Sequence, residues 1–165
     1  MKLYIRRKNT TFNDIEIFSV ATADGKMKYD LKIGVLLGKK IRLVDADKNE
    51  VAVIKQVLKS LMPKYDIFIG DEKLLTVSKK LHILPKFELD GGWEVKYGMM
   101  VHNFELLKNG TVVARISDHD MPWGEAYEID IPEARWEIPA VALAVAIECG
   151  IGAEKCLRRP EDNDQ

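Results

Sequence analysis

Between Pro139 and Gly150 the chain reads PAVALAVAIECG, and eight consecutive residues, Ala140 to Ile147, carry no polar side chain. In a chain that is 31% charged, few surroundings accommodate such a run. A membrane-spanning helix needs about 20 apolar residues to cross roughly 30 Å of hydrocarbon. As a helix, residues 139–149 reach only about 16 Å at 1.5 Å per residue. Extension back to Glu133 adds Glu133, Arg135 and Glu137, which are costly in lipid. A helix lying in the membrane interface requires a polar face, and this run has none for two turns. A helix that is apolar all round belongs inside protein. In a chain that otherwise reads as strands, the simplest enclosure is a closed barrel with the helix along its axis. The frequent alanines would let strands approach from every side, and Val141, Leu143, Val145 and Ile147 are the expected core of this helix. Pro139 suits a first turn, where its missing N–H has no partner to lose. Gly150 and Gly152 are the expected stop.

The strand reading rests on alternation and turn chemistry. KLYIRR places Leu3 and Ile5 on one face; DIEIFSV alternates through Ile15 and Ile17; MKYDLKI aligns Met27, Tyr29, Leu31 and Ile33. Asp24-Gly25 between the second and third of these suits a tight hairpin turn. Two-strand units recur around Asp45 to Asn49, around Gly70 to Glu72, and around Asn109-Gly110, the last being the strongest short hairpin signal. KFELD, WEVKY and EAYEIDI are further strands. The unequal intervals describe a meander and not a solenoid. Ten to twelve strands in a chain of this size must close into a barrel or fold into a sandwich to hide their edges.

The length of 165 residues predicts one domain, spanning 1–157, with a polar tail at 158–165, burying about two-thirds of the unfolded surface. Lys plus Arg number 25 and Asp plus Glu 26, so no global pull toward nucleic acid is expected. Cys149 and Cys156 have neither a metal-ligand nor a disulfide spacing and read as reduced structural thiols. MKLYIRRKNTTF has no apolar core of signal-peptide length. Secretion is not expected, and the predicted location is the cytoplasm, with peripheral membrane attachment if a basic surface meets anionic lipid.

Over residues 1 to about 150 the sequence resembles the LURP-one-related proteins, which share the tubby C-terminal-like fold. The residues that carry the resemblance are MKLYIRRK, LGKKIRLVDADKNEVAVIKQVLKSLMPKYDIFI, KFELDGGWEVKYG, WGEAYEIDI and ALAVAIEC. The pairing of LGKK with IKQ…L…PKY is its most specific part. The resemblance implies a mainly β (α+β) fold, a closed antiparallel barrel of about twelve strands around a central hydrophobic C-terminal helix. It implies no established activity for short members of this kind. Tubby relatives bind phosphoinositide headgroups through surface Lys and Arg; no matching motif is found here, so lipid binding is implied by fold analogy alone.

For individual residues, bland structural roles compete with functional ones. Asp118, His119 and Asp120 in SDHDMPW form the one acid–base cluster in sequence; as an extended segment it would bring Asp118 and Asp120 to one face and turn His119 away. A solvated turn is the expected reading. His82 and His102 have no paired spacing and read as structural or surface residues; Trp93, Trp123 and Trp136 read as core or barrel-end packing; Gly91-Gly92 reads as a bend. Hydrolase and nucleotide-binding motifs are absent. The basic clusters are residues 6–8, Lys39-Lys40, Lys79-Lys80 and Arg158-Arg159. On a barrel they would attract an anionic phospholipid headgroup or another small anion if they converge; otherwise they serve to deter edge-to-edge aggregation. The expected function is a non-enzymatic anion-binding or lipid-binding module with Lys39, Lys40, Lys79 and Lys80 as its contacts, without cofactor or metal. A ligand-free protein-interaction or scaffold domain is the alternative, and a metal-dependent enzyme built on Asp118–Asp120 ranks last.

Overall fold

A computed structural model describes residues 1–9, 16–80, 86–99 and 103–151. Among the described residues, twelve strands precede one long helix: β1 (Lys2–Asn9), β2 (Glu16–Ala21), β3 (Met27–Gly34), β4 (Lys40–Asp45), β5 (Glu50–Gln56), β6 (Lys64–Ile69), β7 (Glu72–Lys80), β8 (Lys86–Leu89), β9 (Trp93–Tyr97), β10 (Phe104–Lys108), β11 (Thr111–Met121) and β12 (Gly124–Asp130). A short 3-10 turn at Ala134–Trp136 leads into α1 (Glu137–Ile151). All twelve strands form one antiparallel sheet in the order β8-β7-β6-β5-β4-β3-β2-β1-β12-β11-β10-β9. Each strand pairs with its neighbours in sequence except β8 with β9, and β1 also pairs with β12, with Leu3 opposite Ile129 and Ile5 opposite Tyr127. That single long-range pairing turns the meander into a nearly closed barrel.

Closure is incomplete at one seam. The edge strands β8 and β9, joined by Asp90 to Gly92, lie against each other but share no ladder. Gly91 and Gly92 sit at φ 64° and 80°, a region costly to residues with a side chain. One backbone group on the seam finds a substitute partner: the Phe87 N–H donates to Tyr97 Oη. Burial pushes the Tyr97 phenol above its usual pKa range. The β10–β11 hairpin turns on Asn109 and Gly110 at φ 49° and 80°, both in the left-handed region that favours Asn-Gly.

Inward-facing residues follow the two-residue strand period. Leu31, Leu43, Ile54, Ile67, Val77 and Ile116 all face α1, and every residue from Ala140 to Ile147 is buried. The helix is enclosed by strands on its whole circumference. No described helix is long and apolar enough to cross a membrane. Helix boundaries differ from the sequence expectation: α1 begins two residues before Pro139 and runs through Gly150 to Ile151. Pro139 still falls in the first turn, where N–H groups lack intrahelical partners, and one glycine costs a helix only about 1 kcal/mol.

The helix start is pinned at one barrel end. Tyr29 Oη donates to Glu137 Oε1 at 2.6 Å, and Lys28 Nζ lies 2.5 Å from the same oxygen. A carboxylate in the first turn also complements the helix dipole. Nearby, the Trp93 and Trp136 rings meet edge to face with centroids 5.5 Å apart. Since Tyr29 opens β3, α1 points toward the opposite end, where β3 finishes and β4 begins.

Candidate functional site

The rim at which α1 exits gathers the ends of β3, β5 and β7 with the starts of β4, β6 and β8. The antiparallel registers therefore bring Lys39, Lys40, Lys79 and Lys80 to one end of the barrel. They do not form one cluster. Three strand spacings of about 4.8 Å separate β4 from β7, so the two pairs stand roughly 14 Å apart along the rim. Within each pair the strand period divides the neighbours. Lys39 continues the inward row of Ile41 and Leu43 and is only 2% exposed, while Lys40 is exposed. Lys79 continues the inward row of Leu75 and Val77; Lys80 faces out and pairs with Glu88 at 2.5 Å.

Lys39 is held by its backbone. Its N–H donates to Gln56 Oε1 at 3.0 Å, and its carbonyl accepts from Gln56 N at 2.8 Å. Its Nζ has no hydrogen-bond partner among the described residues. A buried ammonium without a partner carries a desolvation cost. It lies at the exit end of α1, where the helix dipole is negative.

Sequence reading missed two further lysines. Lys59 and Lys64 join Lys79 and Lys80 in lining an open groove between the β5–β6 loop and the end of β7, with Ser60 and Ser78 hydroxyls beside them. No carboxylate is among the described residues lining it. The Val57 N–H donates to the Lys64 carbonyl, and the Lys79 N–H to the Pro63 carbonyl, each at 2.8 Å; these bonds fold the loop back on the strand ends. The alternation of Leu and Lys in LKSLMPK was the available signal, but a loop has no period from which to assign faces.

The adjacent loops are apolar at their tips. Leu36 and Leu37 in the β3–β4 loop are 94% and 84% exposed, and Leu61 in the β5–β6 loop is fully exposed. The loops touch: a Cβ on Gly38 would meet Leu58 Cδ2 at 2.7 Å, so the glycine makes the contact sterically feasible.

The Asp118–Asp120 segment departs from the expected turn. β11 continues through it to Met121, with Asp118 opposite Tyr127 and Asp120 opposite Glu125; the reversal falls at Pro122-Trp123 instead. Backbone pairing with β12, together with the Asp118 N–H donating to Asn103 Oδ1 at 3.2 Å, holds this segment extended whatever its side chains. Asp118 and Asp120 share the inner face of this extension and line a cavity with Glu125 and Tyr127. His119 lies on the other face, its Nδ1 3.8 Å from Glu128 Oε2 and its ring 6.1 Å from that of Tyr4. Glu128 is engaged already: Tyr4 Oη donates to it and Lys2 Nζ sits beside it, each at 3.1 Å. Burial, followed by this carboxylate, raises the Tyr4 pKa. Among the described residues no three His, Cys, Asp or Glu side chains gather to hold a metal. His82, His102, Cys156, Arg158, Arg159 and the polar tail lie outside the described residues, as does the side chain of Cys149.

Arg6, the described member of the N-terminal basic run, lies elsewhere. Its guanidinium stacks 5.2 Å from the Trp123 ring centroid, whose Nε1 donates to the Ala23 carbonyl. It ties β1 to the neighbouring turns.

Comparison with known proteins places this barrel among relatives. The family model described as LURP-one-related matches residues 1–148. The chain is 25% identical over 151 residues to the uncharacterized protein YxjI of Bacillus subtilis, covering 90% of this chain and 92% of that protein. The X-ray structure of a protein from Arabidopsis thaliana, AT5G01750, superposes with a TM-score of 0.58 at 16% identity, over 89% of each chain. That likeness is one of fold.

Proposed function

The chain belongs to the LURP-one-related family, and from that premise we propose that it is a non-enzymatic module binding an anionic headgroup or another small anion at its lysine rim. The observation that carries this reading is the groove in which Lys59, Lys64, Lys79 and Lys80 stand with two serine hydroxyls and no described carboxylate. Ammonium groups and hydroxyls supply charge-assisted donors to phosphate oxygens, and lysine acts as a mobile point charge suited to an open groove. Lys40 extends the basic surface toward β4. The exposed pair between Lys80 and Glu88 contributes little by itself and yields to a multivalent anion. In this reading the protein works in the cytoplasm and attaches peripherally to membranes.

Calorimetric titration with inorganic phosphate and with a soluble inositol trisphosphate tests the proposal. The trisphosphate is expected to bind more tightly than phosphate. Binding should weaken with salt and fall at least about tenfold in the triple variant Lys64→Ala/Lys79→Ala/Lys80→Ala, because several charges are lost together. No binding of either probe at low salt, or equal binding by the variant, overturns it.

A further inference from the structure

The lysine rim is crowned by leucines. Of eight large apolar side chains exposed among the described residues, five lie in the two loops that touch across Gly38 and Leu58: Val35, Leu36, Leu37, Leu58 and Leu61. An ordinary surface scatters such residues singly, whereas clustered apolar exposure rimmed by polar groups marks an interaction site. Here the surrounding charges are of one sign at close range: Lys40 follows the first loop, Lys59 sits within the second, and Lys64 ends it. The hairpin ends project the leucines beyond the core, while Lys39 N–H to Gln56 and Val57 N–H to Lys64 hold the loop bases to the strands.

We propose that the β3–β4 and β5–β6 loops dock this barrel end-on to an anionic lipid bilayer. Leu36, Leu37 and Leu61 enter the boundary between headgroups and acyl chains. Lys40, Lys59 and Lys64 meet the phosphates above them. The inference rests on the anion-binding reading and adds the occupant and the apolar half of the site. Charge complementarity decides the occupant. Apolar tips under a collar of ammonium groups fit a surface that is negative outside and hydrocarbon beneath, and a second copy of this end would bring lysine against lysine. Across the rim, the exposed carboxylates Asp118, Asp120 and Glu125 are repelled by the same surface, so the barrel leans onto its β4–β7 side.

Co-sedimentation with vesicles of phosphatidylcholine alone and of phosphatidylcholine with about one-third phosphatidylserine tests this. The protein is expected to bind the anionic vesicles. Binding should fall at least about tenfold in Leu36→Ser/Leu37→Ser/Leu61→Ser, since three leucines leave the bilayer. These side chains are almost wholly exposed, so the melting temperature should not change, which separates loss of docking from loss of fold. Equal vesicle binding by the leucine variant overturns insertion while leaving the lysine rim intact. Failure of the unaltered protein to bind anionic vesicles, with inositol trisphosphate still binding, overturns the membrane and leaves a soluble anion. Failure of both removes both readings. A dimer in sedimentation velocity that the leucine variant abolishes, without vesicle binding, assigns the leucines to a second copy and overturns the proposal.

Discussion

Tyr29 and Glu137, 108 residues apart, meet at 2.6 Å, with the phenol of β3 donating to the carboxylate in the first turn of α1. This contact fixes the axial position of the helix inside the strands, and therefore which barrel end receives its C-terminus. Burial, followed by the Glu137 carboxylate, raises the Tyr29 pKa far above its ordinary value.

Tyr29→Phe keeps the ring and removes the donor. Loss of a hydrogen bond to a charged acceptor should cost about 1.5–3 kcal/mol at neutral pH, read by urea denaturation. The pH dependence has a definite sign. A phenol whose folded pKa is raised stabilises fully below its unfolded value near 10, and that contribution is lost as pH rises beyond it. Above pH about 10, unaltered protein should lose stability with an extra slope approaching 1.4 kcal/mol per pH unit relative to Tyr29→Phe. Parallel pH profiles would remove the phenol from the account.

Leu143→Ala tests enclosure of the helix. Leu143 is fully buried in the centre of α1, and truncation should cost about 2–5 kcal/mol through lost burial and the cavity left behind. A cost below about 1 kcal/mol would mean that the strands do not surround it.

The seam predicts a local weakness. Tyr97→Phe removes the acceptor for the Phe87 N–H and should cost about 1 kcal/mol. Hydrogen exchange should accelerate at Phe87 well before it changes at Ile41 or Ile129, which sit in the continuous ladder. Unchanged protection at Phe87 would place closure elsewhere.

Lys39 yields the opposite sign from most core substitutions. Its buried Nζ lacks a hydrogen-bond partner among the described residues, so Lys39→Met, similar in length and without charge, should raise stability by about 1–3 kcal/mol. Denaturant midpoints in phosphate-free buffer measure this. A destabilised variant would show that the ammonium gains an interaction in solution.

Much of the barrel was legible because strands advertise themselves by local means. Asp24-Gly25, the Asp45–Asn49 turn and Asn109-Gly110 each fall where turn chemistry placed them, and the inward rows of Leu31 and Leu43 follow from alternation. The Asp118–Asp120 segment misled because a polar run reads as a turn until its partner strand is known. Lys39 is buried and Lys40 lies outside the groove, but of its four lysines the pair Lys79-Lys80 was visible in the sequence. Lys59, Lys64 and the leucine tips were not, since loop residues carry no period. LGKK and IKQ…L…PKY, far apart in the text, are the two loops that Gly38, Leu58 and Gln56 join.

The sequence by itself determined that eight apolar residues from Ala140 to Ile147 must be enclosed and that short strands must do the enclosing, because hydrophobic burial and turn geometry act over a few residues. Only the tertiary structure decided that β1 closes on β12, that the seam lies between β8 and β9, and that Lys39 turns inward while Lys40 turns out. Those outcomes depend on register. The β1–β12 register joins residues more than a hundred positions apart, the β3–β4 register sets which of Lys39 and Lys40 faces in, and in either a shift of one residue reverses every face.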